Sequence, residues 1–216
     1  MDTEPETNKI NCILHYTMAM VGGFLGGYAI LYRSDFLGNA QTANLIYLVH
    51  AILGRNIYEV VLRLIALVLY FSAAMLFVFI REKTCLNVKK CSIGLDIAAV
   101  ILSSIIPLSI SPIIGLFPVF VAMSFQWNSF PGCYGYISAT VFSTNNTRQV
   151  AVSVAEYLCN KNKEKLYKAA FFGGSLFFFH IGVTISYLAT KYWGLRGLWV
   201  ALLFLICAYA LTSKVT

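Results

Sequence analysis

Polar side chains that could bind a small molecule fall in two short stretches, each set between apolar segments. The first reads GNAQTANL at residues 38–45, and the second reads FSTNNTRQ at residues 142–149. Amide and hydroxyl groups without partners are costly in hydrocarbon, so they persist there only where they bond to each other, line a cavity or face water. The pattern predicts either a polar seam inside a membrane or two aqueous loops that cap short helices.

The candidate substrate-binding residues are the amides and hydroxyls of these stretches, together with nearby tyrosines and one glutamine. They are Asn39, Gln41, Thr42, Asn44, Tyr28, Gln126, Tyr136, Thr144, Asn145 and Asn146. The start of a half-helix would present free N–H groups and a positive dipole end to the ligand. A cavity lined by rings and amides suits a neutral or weakly polar small molecule.

Ionisable residues within apolar segments are candidates for coupling or gating, because a charge inside a membrane is expensive. They are Asp96, His180, Arg63 and His15. His15 lies at a depth from which it could meet Asp96. The alternative for His180 is a neutral ring bonded to a backbone carbonyl. Arg63 is equally compatible with snorkelling beside Glu59 and with lining an outer vestibule.

The motifs of other chemistries are missing from the sequence. Ser175 and His180 are five residues apart, which puts them on different faces of one helix, and neither G-x-S-x-G nor H-E-x-x-H occurs. Nothing resembles a P-loop, so ATP is not the energy source within this chain. The six cysteines form no C-x-x-C pair, which predicts that all of them act as structural filler. We expect no enzyme activity, no cofactor and no metal.

The composition is typical of a polytopic membrane protein. Of 216 residues, 59% are hydrophobic and 12% are charged, whereas about 25% are charged in soluble domains. A membrane-spanning helix needs about 20 mostly apolar residues. Apolar segments of that length, alone or with flanking residues, are 13–32, 60–80, 93–106, 113–127, 169–189 and 198–211. The prediction is an all-α bundle of six transmembrane helices with no nucleic-acid partner, despite a net charge of +7.

Lysine and arginine are unevenly divided between the two sides that six spans define. The richer side holds Lys9, Arg81, Lys83, Lys89, Lys90, Arg148, Lys161, Lys163, Lys165, Lys168 and Lys214. The poorer side holds Arg33, Arg55, Arg63, Lys191 and Arg196. Because basic loops stay in the cytoplasm, this distribution places both termini there.

The two halves of the chain share a weak internal pattern. At offsets of 102 or 105 residues the equivalent pairs are Thr42 and Thr144, Asn44 and Asn146, Glu59 and Glu164, and Arg63 and Lys168. Because three spans per half is an odd number, the second half must enter the membrane from the opposite side. We expect residues 1–108 and 109–216 to be inverted three-helix repeats of one membrane domain, a plan seen in many secondary transporters. Segments 40–54 and 146–159 are too short to cross, so they are predicted to be re-entrant or interfacial half-helices.

The stretch GGFLGGYAILYRSDFLGNAQTANL resembles the YoaK-type family, six-span bacterial inner-membrane proteins of unknown function. The family pattern runs G-G-F-L-D and A-x-x-Q-T-G-N-L, with a second copy M-x-x-Q and T-G-N-L-R. The matching positions here are Gly22, Gly23, Phe24, Leu25, Gln41, Thr42, Asn44, Leu45, Met123, Gln126, Tyr136, Thr144, Asn146 and Arg148. Gly26 stands where the family has Asp, so any ion that this Asp couples in the family cannot be coupled in the same way here.

The leading hypothesis is a small secondary transporter or channel-like permease in the bacterial inner membrane, with its site between the two repeats. Its partners would be the lipid bilayer and an unidentified small molecule or ion. The chain is small for a solitary carrier, which favours a homo-oligomer. Two overlapping G-x-x-x-G patterns predict close helix packing within the bundle or against another protomer: Gly22 with Gly26, and Gly23 with Gly27. The alternative is a structural or accessory membrane protein whose polar seam only satisfies its own backbone.

Overall fold

The computed structural model of the protein describes residues 3–33 and 41–214, with side chains from residue 6 onward. In chain order the helices are α1 (Thr3–Tyr32), α2 (Gln41–Leu53), α3 (Ile57–Lys83), α4 (Val88–Ile105), α5 (Pro112–Gly115), α6 (Phe117–Ser129), α7 (Thr144–Asn160), α8 (Lys163–Trp193) and α9 (Ala201–Thr212). Strands β1 (Gly132–Cys133) and β2 (Tyr136–Ile137) form a small antiparallel hairpin after α6. A 3-10 segment (Gly194–Val200) joins α8 to α9.

Asparagine side chains begin three of these helices, as expected for residues that cap free N–H groups. Asn56 accepts from the backbone of Glu59 at the start of α3, and Asn162 accepts from Glu164 at the start of α8. Asn87 accepts from two backbone N–H groups in the first turn of α4. Each of these three helices therefore begins earlier than its apolar segment, directly after the capping asparagine.

Among the described residues, three helical stretches are long and apolar enough to cross a membrane: Glu6–Tyr32, Ile57–Lys83 and Lys163–Thr212. The last of these contains α8, the 3-10 segment and α9. The remaining predicted spans are also helical, in α4 and in α5 with α6. The chain is thus a helical protein with candidate membrane-spanning helices, and the number of six spans stays a prediction.

Contacts between helix termini define one end of the bundle, termed here the basic end. Lys89 at the start of α4 donates to Asn11 near the start of α1, at 2.8 Å. Lys90 lies over the ring of Tyr209, near the end of α9. Helices α1 and α4 therefore begin at the basic end, and α9 returns to it.

The opposite end of the bundle, termed the Arg33 end, is closed by a buried arginine. Arg33 follows α1 and donates to the carbonyl oxygens of Ile106 and Pro107, which follow α4, at 2.5 and 3.1 Å. The same guanidinium donates to the Tyr28 hydroxyl at 2.7 Å. Helices α1 and α4 thus run side by side from the basic end to the Arg33 end.

Helix α1 lies at the centre of the bundle and packs against α8 and α9. A Cβ placed on Gly23 would collide with the carbonyl oxygen of Phe179 in α8, and one on Gly182 would collide with that of Met20 in α1. A Cβ on Gly22 would meet the carbonyl oxygen of Thr140 in the loop before α7. Small residues let helix backbones approach this closely. Gly22 and Gly23 are therefore packing positions within the chain itself.

A disulfide joins Cys12 in α1 to Cys133 in β1, with the two Cα atoms 5.3 Å apart. The prediction that all six cysteines act only as structural filler is wrong for this pair. The two residues are 121 positions apart in sequence, and only the arrival of the hairpin at the start of α1 brings them together. Cys85, Cys91, Cys159 and Cys207 are free.

Removing this disulfide should loosen the hairpin from α1. We expect Cys133→Ser to lower the free energy of unfolding by about 2–4 kcal/mol, the range typical of disulfide removal. Thermal unfolding in detergent, followed by loss of monodisperse protein, measures the change. Reductant should lower the wild-type melting temperature by the same amount and leave Cys133→Ser unaffected. Cys85→Ser is the control, since Cys85 is exposed and free; equal melting of the two variants would contradict the prediction.

Candidate functional site

The second polar stretch enters the bundle from the basic end through the loop of residues 130–143. Thr140 in this loop accepts a hydrogen bond from Nε2 of Gln126, at 2.9 Å. The same amide donates to the carbonyl oxygen of Met18, near the middle of α1, at 2.9 Å. Gln126, although predicted to bind substrate, thus holds the loop against α1 from a fully buried position. The loop carries the chain from the hairpin to the interior.

Helix α7 begins farther from the basic end than this contact with Met18, beside the last turns of α1, and returns to the basic end. Its first residue, Thr144, lies beside Gly27 of α1 and beside Phe179 and Val183, which are near the middle of α8. Near its far end, Glu156 accepts from Lys165 in the first turn of α8, at 2.7 Å. This hydrogen bond lowers the pKa of the Glu156 carboxyl. Helix α7 therefore runs from a start between α1 and α8 to the basic end.

A cavity of about 270 Å³ lies at the start of α7 and is termed the α7 cavity. Gly26, Gly27 and Ile30 of α1 form one wall, and Phe179 and Val183 of α8 form another. Ser143 and Thr144 supply hydroxyl groups to a lining that is otherwise mostly apolar. The Ser143 side chain makes no capping hydrogen bond to α7. The start of α7 therefore lies at the cavity without a side-chain cap, and the free N–H groups of a first helical turn favour an acceptor atom.

Asn146 is held by the protein rather than open to a ligand. Its Nδ2 donates to the carbonyl oxygens of Ala139 and Phe142, at 2.9 and 3.3 Å. Its Oδ1 accepts from the Ser138 hydroxyl at 3.0 Å. The side chain is 1% exposed. These bonds match the alternative in which the polar stretch satisfies its own backbone.

The first polar stretch lies apart from the α7 cavity. Asn39 is outside the described residues. Helix α2 packs against α3, where Asn44 is buried and Thr42 is exposed. Among residues 41–214, none from α2 lines the α7 cavity. The structure therefore brings Thr144 to the cavity between α1 and α8 and leaves Gln41, Thr42 and Asn44 outside it.

A family model described as "Protein of unknown function (DUF1275)" matches residues 14–211. The chain belongs to the DUF1275 family. The match runs from α1 to α9 and includes both polar stretches, so the family pattern covers the α7 cavity and the loop before it. No curated protein and no solved structure matches the chain.

The two predicted tyrosines of this DUF1275 protein lie at different places. Tyr28 is buried near the Arg33 end, where its hydroxyl accepts from Arg33 and donates to the carbonyl oxygen of Ser103 at 3.4 Å. Tyr136 lines a second cavity, of about 430 Å³, with Tyr16 and Phe171 close to the basic end. Neither tyrosine lines the α7 cavity, and Asn145 is exposed on α7.

Of the ionisable candidates, Arg63, His15 and Asp96 are buried and His180 is exposed. Arg63 pairs with Glu59 at 3.0 Å, as the i,i+4 spacing predicts. His180 is exposed, and its Nδ1 lies 2.8 Å from the carbonyl oxygen of Leu176, which is the predicted alternative of a ring bonded to its own helix. His15 and Asp96 are buried at 1% and 0% exposure.

The sequence did not single out the α8 side of the cavity. Phe179 and Val183 are apolar residues of a mostly apolar helix of 31 residues, in which the only candidate residue predicted from the sequence is their neighbour His180. The pattern of α8 carries no signal for these two residues, because their role depends on where α7 begins. Ser143 could have been predicted from the sequence, since it directly precedes Thr144 in the polar stretch.

Proposed function

We propose that this DUF1275 protein is a small secondary transporter or channel-like permease whose substrate occupies the α7 cavity. The observation that carries the proposal is the start of α7, which opens into a cavity between the middle of α8 and the last two turns of α1. In many transporters, half-helices that begin near the midplane direct their N–H groups at the substrate. The mostly apolar lining with two hydroxyls suits a small neutral or weakly polar solute. No chemical conversion is part of the proposal.

The pattern of helix contacts supports two inverted repeats, residues 1–108 and 109–216. In that scheme α1 to α4 correspond in order to α6, α7, α8 and the 3-10 segment with α9. Helix α1 packs on α8 and α9 of the second half, while α6 packs on α3 and α4 of the first. Each half-helix packs on the long helix that follows it, α2 on α3 and α7 on α8. This reciprocal packing is what a pseudo-two-fold arrangement of six spans requires.

The proposal places the basic end in the cytoplasm of a bacterial inner membrane, with both termini there. Lys89, Lys90 and Lys165 lie at this end, in agreement with the rule that basic residues stay inside. The Cys12–Cys133 pair lies at the same end. Because cytoplasmic thiols are kept reduced, this orientation implies that the pair is a dithiol in growing cells and closes on oxidation.

Water access to the α7 cavity tests the proposal without a known substrate. In a variant with the four free cysteines changed to serine and the disulfide intact, we expect Ser143→Cys to react with a water-soluble thiol reagent from both sides of a liposome membrane. Ser153→Cys is the matched control, because Ser153 is fully buried on the same helix and the exchange is also nearly isosteric. Equal protection of both cysteines would contradict a wet path.

Solute movement can be measured by stopped-flow swelling of proteoliposomes in isosmotic glycerol, urea or acetamide. At least one solute should enter faster than into empty liposomes, and Thr144→Trp should abolish the difference by filling the cavity. Thr147→Trp should retain it, because Thr147 is exposed on α7 and does not line the cavity. If no solute enters faster and Ser143→Cys stays unreactive, the permease proposal fails.

A structural or accessory membrane protein is the second candidate function. The internal hydrogen bonds of Asn146 and Gln126 favour it, because they show that much of the polar seam serves the fold. Under this alternative, the α7 cavity is filled by lipid and no thiol reagent reaches Ser143→Cys.

A further inference from the structure

Several buried polar atoms on α1 and α4 have no hydrogen-bond partner among the described residues. Within residues 6–33 and 41–214, they include both ring nitrogens of His15, the hydroxyl of Ser92 and both carboxyl oxygens of Asp96. All three side chains are at most 1% exposed. Buried polar atoms in folded proteins almost always have a partner from the protein or from ordered water. The three side chains therefore lie where water is expected to supply the missing bonds.

His15 opens on a polar cavity of about 120 Å³, termed the basic-end cavity. Its other walls include Asn11 and Lys89, which are hydrogen-bonded to each other, and Phe130. The His15 ring approaches the backbone of Phe130, but neither nitrogen reaches hydrogen-bond geometry with a described residue. A site needs room for about one probe sphere, 10–15 Å³, to hold one water. The basic-end cavity is therefore large enough for several waters in contact with the His15 ring.

Lys89, Ser92 and Asp96 lie on one face of α4, because their spacings are three and four residues. With about 1.5 Å rise per residue, Asp96 is roughly 10 Å deeper than Lys89, and Ser92 lies between them. The buried face of α4 thus leads from the wall of the basic-end cavity to a carboxyl group inside the bundle.

The elements packed against α4 bring no buried counter-charge to Asp96 among the described residues. Helix α6 has no titratable side chain, and on α9 the two titratable residues, Cys207 and Tyr209, are exposed. The 3-10 segment contributes Arg196, and the end of α3 contributes Arg81, Glu82 and Lys83, all of which are exposed. Farther along α3, Arg63 is buried but pairs with Glu59 and lies roughly 30 Å from the basic end of the helix at about 1.5 Å per residue. Tyr70 on α3 is half-buried. On α1 the buried titratable groups are His15, at the cavity, and Tyr28, which is bonded to Arg33 at the far end.

We propose that Asp96 is a proton-binding site inside the bundle, and that Ser92 and His15 connect it to water in the basic-end cavity. When the carboxyl O–H bond breaks, the proton passes to a water or to the His15 ring and leaves a carboxylate; rebinding reverses the step. A buried carboxyl without a cationic partner favours the protonated form, because an uncompensated charge is expensive there. A hard metal cation would need about six oxygen ligands, which Asp96 and Ser92 do not supply.

This inference deepens the proposed function by naming the proton as the coupled ion, yet its test does not measure transport. Protein in liposomes is treated with dicyclohexylcarbodiimide, which adds to protonated carboxyl groups in apolar surroundings, and the adducts are located by peptide mass mapping. We expect an adduct at Asp96 whose yield falls at least tenfold from acidic to alkaline pH. Glu82 is the internal control, because its side chain is exposed near the basic end and should stay unmodified. Absence of the Asp96 adduct at every pH would overturn the proton site.

The connection through His15 is tested separately by infrared spectroscopy. The wild type should show the C=O band of a protonated carboxyl group that is lost in Asp96→Asn. After transfer to D₂O, the shift of this band should be at least tenfold slower in His15→Phe and Ser92→Ala than in the wild type. Tyr16→Phe is the control next to His15, since its hydroxyl bonds instead to the Phe171 carbonyl oxygen. Unchanged exchange in both variants would overturn the path.

The two proposals can fail independently. If a solute enters proteoliposomes faster than empty liposomes but Asp96 forms no adduct, the transport proposal stands and the proton site fails. If Asp96 forms the adduct but no solute enters faster, the proton site stands and the transport proposal fails.

Discussion

Replacing Gly23 with alanine is expected to lower the free energy of unfolding by about 1–3 kcal/mol, as overpacking of a tight core does. The added methyl group would collide with the backbone carbonyl oxygen of Phe179, and a backbone atom in the middle of α8 cannot turn away as a side chain can. Relief requires α1 and α8 to move apart along their shared contact. Gly23→Leu should therefore give no folded protein. Thermal unfolding in detergent measures the alanine variant, and recovery of monodisperse protein measures the leucine variant.

Gly173→Ala is the matched control for this prediction. Gly173 is on α8, and a Cβ there meets no atom within 4 Å. Because alanine has a higher helix propensity than glycine by about 1 kcal/mol, this variant should be as stable as the wild type or more so. Gly182→Ala should match Gly23→Ala, since its methyl group would collide with the Met20 carbonyl oxygen on the same helix pair. If Gly23→Ala had the same melting temperature as the wild type, the close approach of the α1 and α8 backbones would be contradicted.

The glycine pair also indicates how far sequence reasoning reaches. The G-x-x-x-G spacing predicted a close approach, because only small residues leave room for a second backbone. It could not identify the partner, since α8 begins 130 residues after α1 ends and its own glycines are spaced differently. The same limit explains the Cys12–Cys133 disulfide, which depends on where the hairpin meets α1 rather than on any local pattern.

The sequence was sufficient to predict the helix that begins at the candidate site, but not the residues of α1 and α8 that form the walls of the α7 cavity. A polar stretch followed by too few apolar residues to cross a membrane predicted a half-helix, and the helix that follows this stretch, α7, begins between α1 and α8 and ends at the basic end. Its starting depth follows from the hydrogen bonds of Gln126 to Met18 and Thr140, which join residues far apart in sequence. The assignment of Asn146 to substrate binding rested on residue type alone. Amides are equally suited to hold a loop, and only the positions of the surrounding carbonyl groups distinguish the two roles.

Replacing Arg33 with methionine is expected to lower the free energy of unfolding by about 2–4 kcal/mol. Hydrogen bonds to charged groups contribute about 1.5–3 kcal/mol each, and the loss of Arg33 would leave the acceptors at Tyr28, Ile106 and Pro107 without their donor. The guanidinium is 2% exposed and is enclosed so closely that a Cβ on Gly115 would lie 2.5 Å from its Cζ. Methionine fills a similar length without any donor, so the lost bonds dominate the change.

Arg33→Lys separates the charge from the shape of the donor. A lysine keeps the positive charge but presents a compact ammonium group, which cannot reach three acceptors in the planar arrangement that a guanidinium provides. We therefore expect Arg33→Lys to melt closer to Arg33→Met than to the wild type, while Arg196→Met, at an exposed position, should have little effect. Wild-type stability in Arg33→Lys would mean that charge alone suffices. The expected result would instead show that Arg33 is required for folding. Arg33 should then be left out when the basic residues at the Arg33 end are counted to predict membrane orientation. Without Arg33, the difference in the number of lysines and arginines between the two ends is larger, which supports the proposal that the basic end faces the cytoplasm.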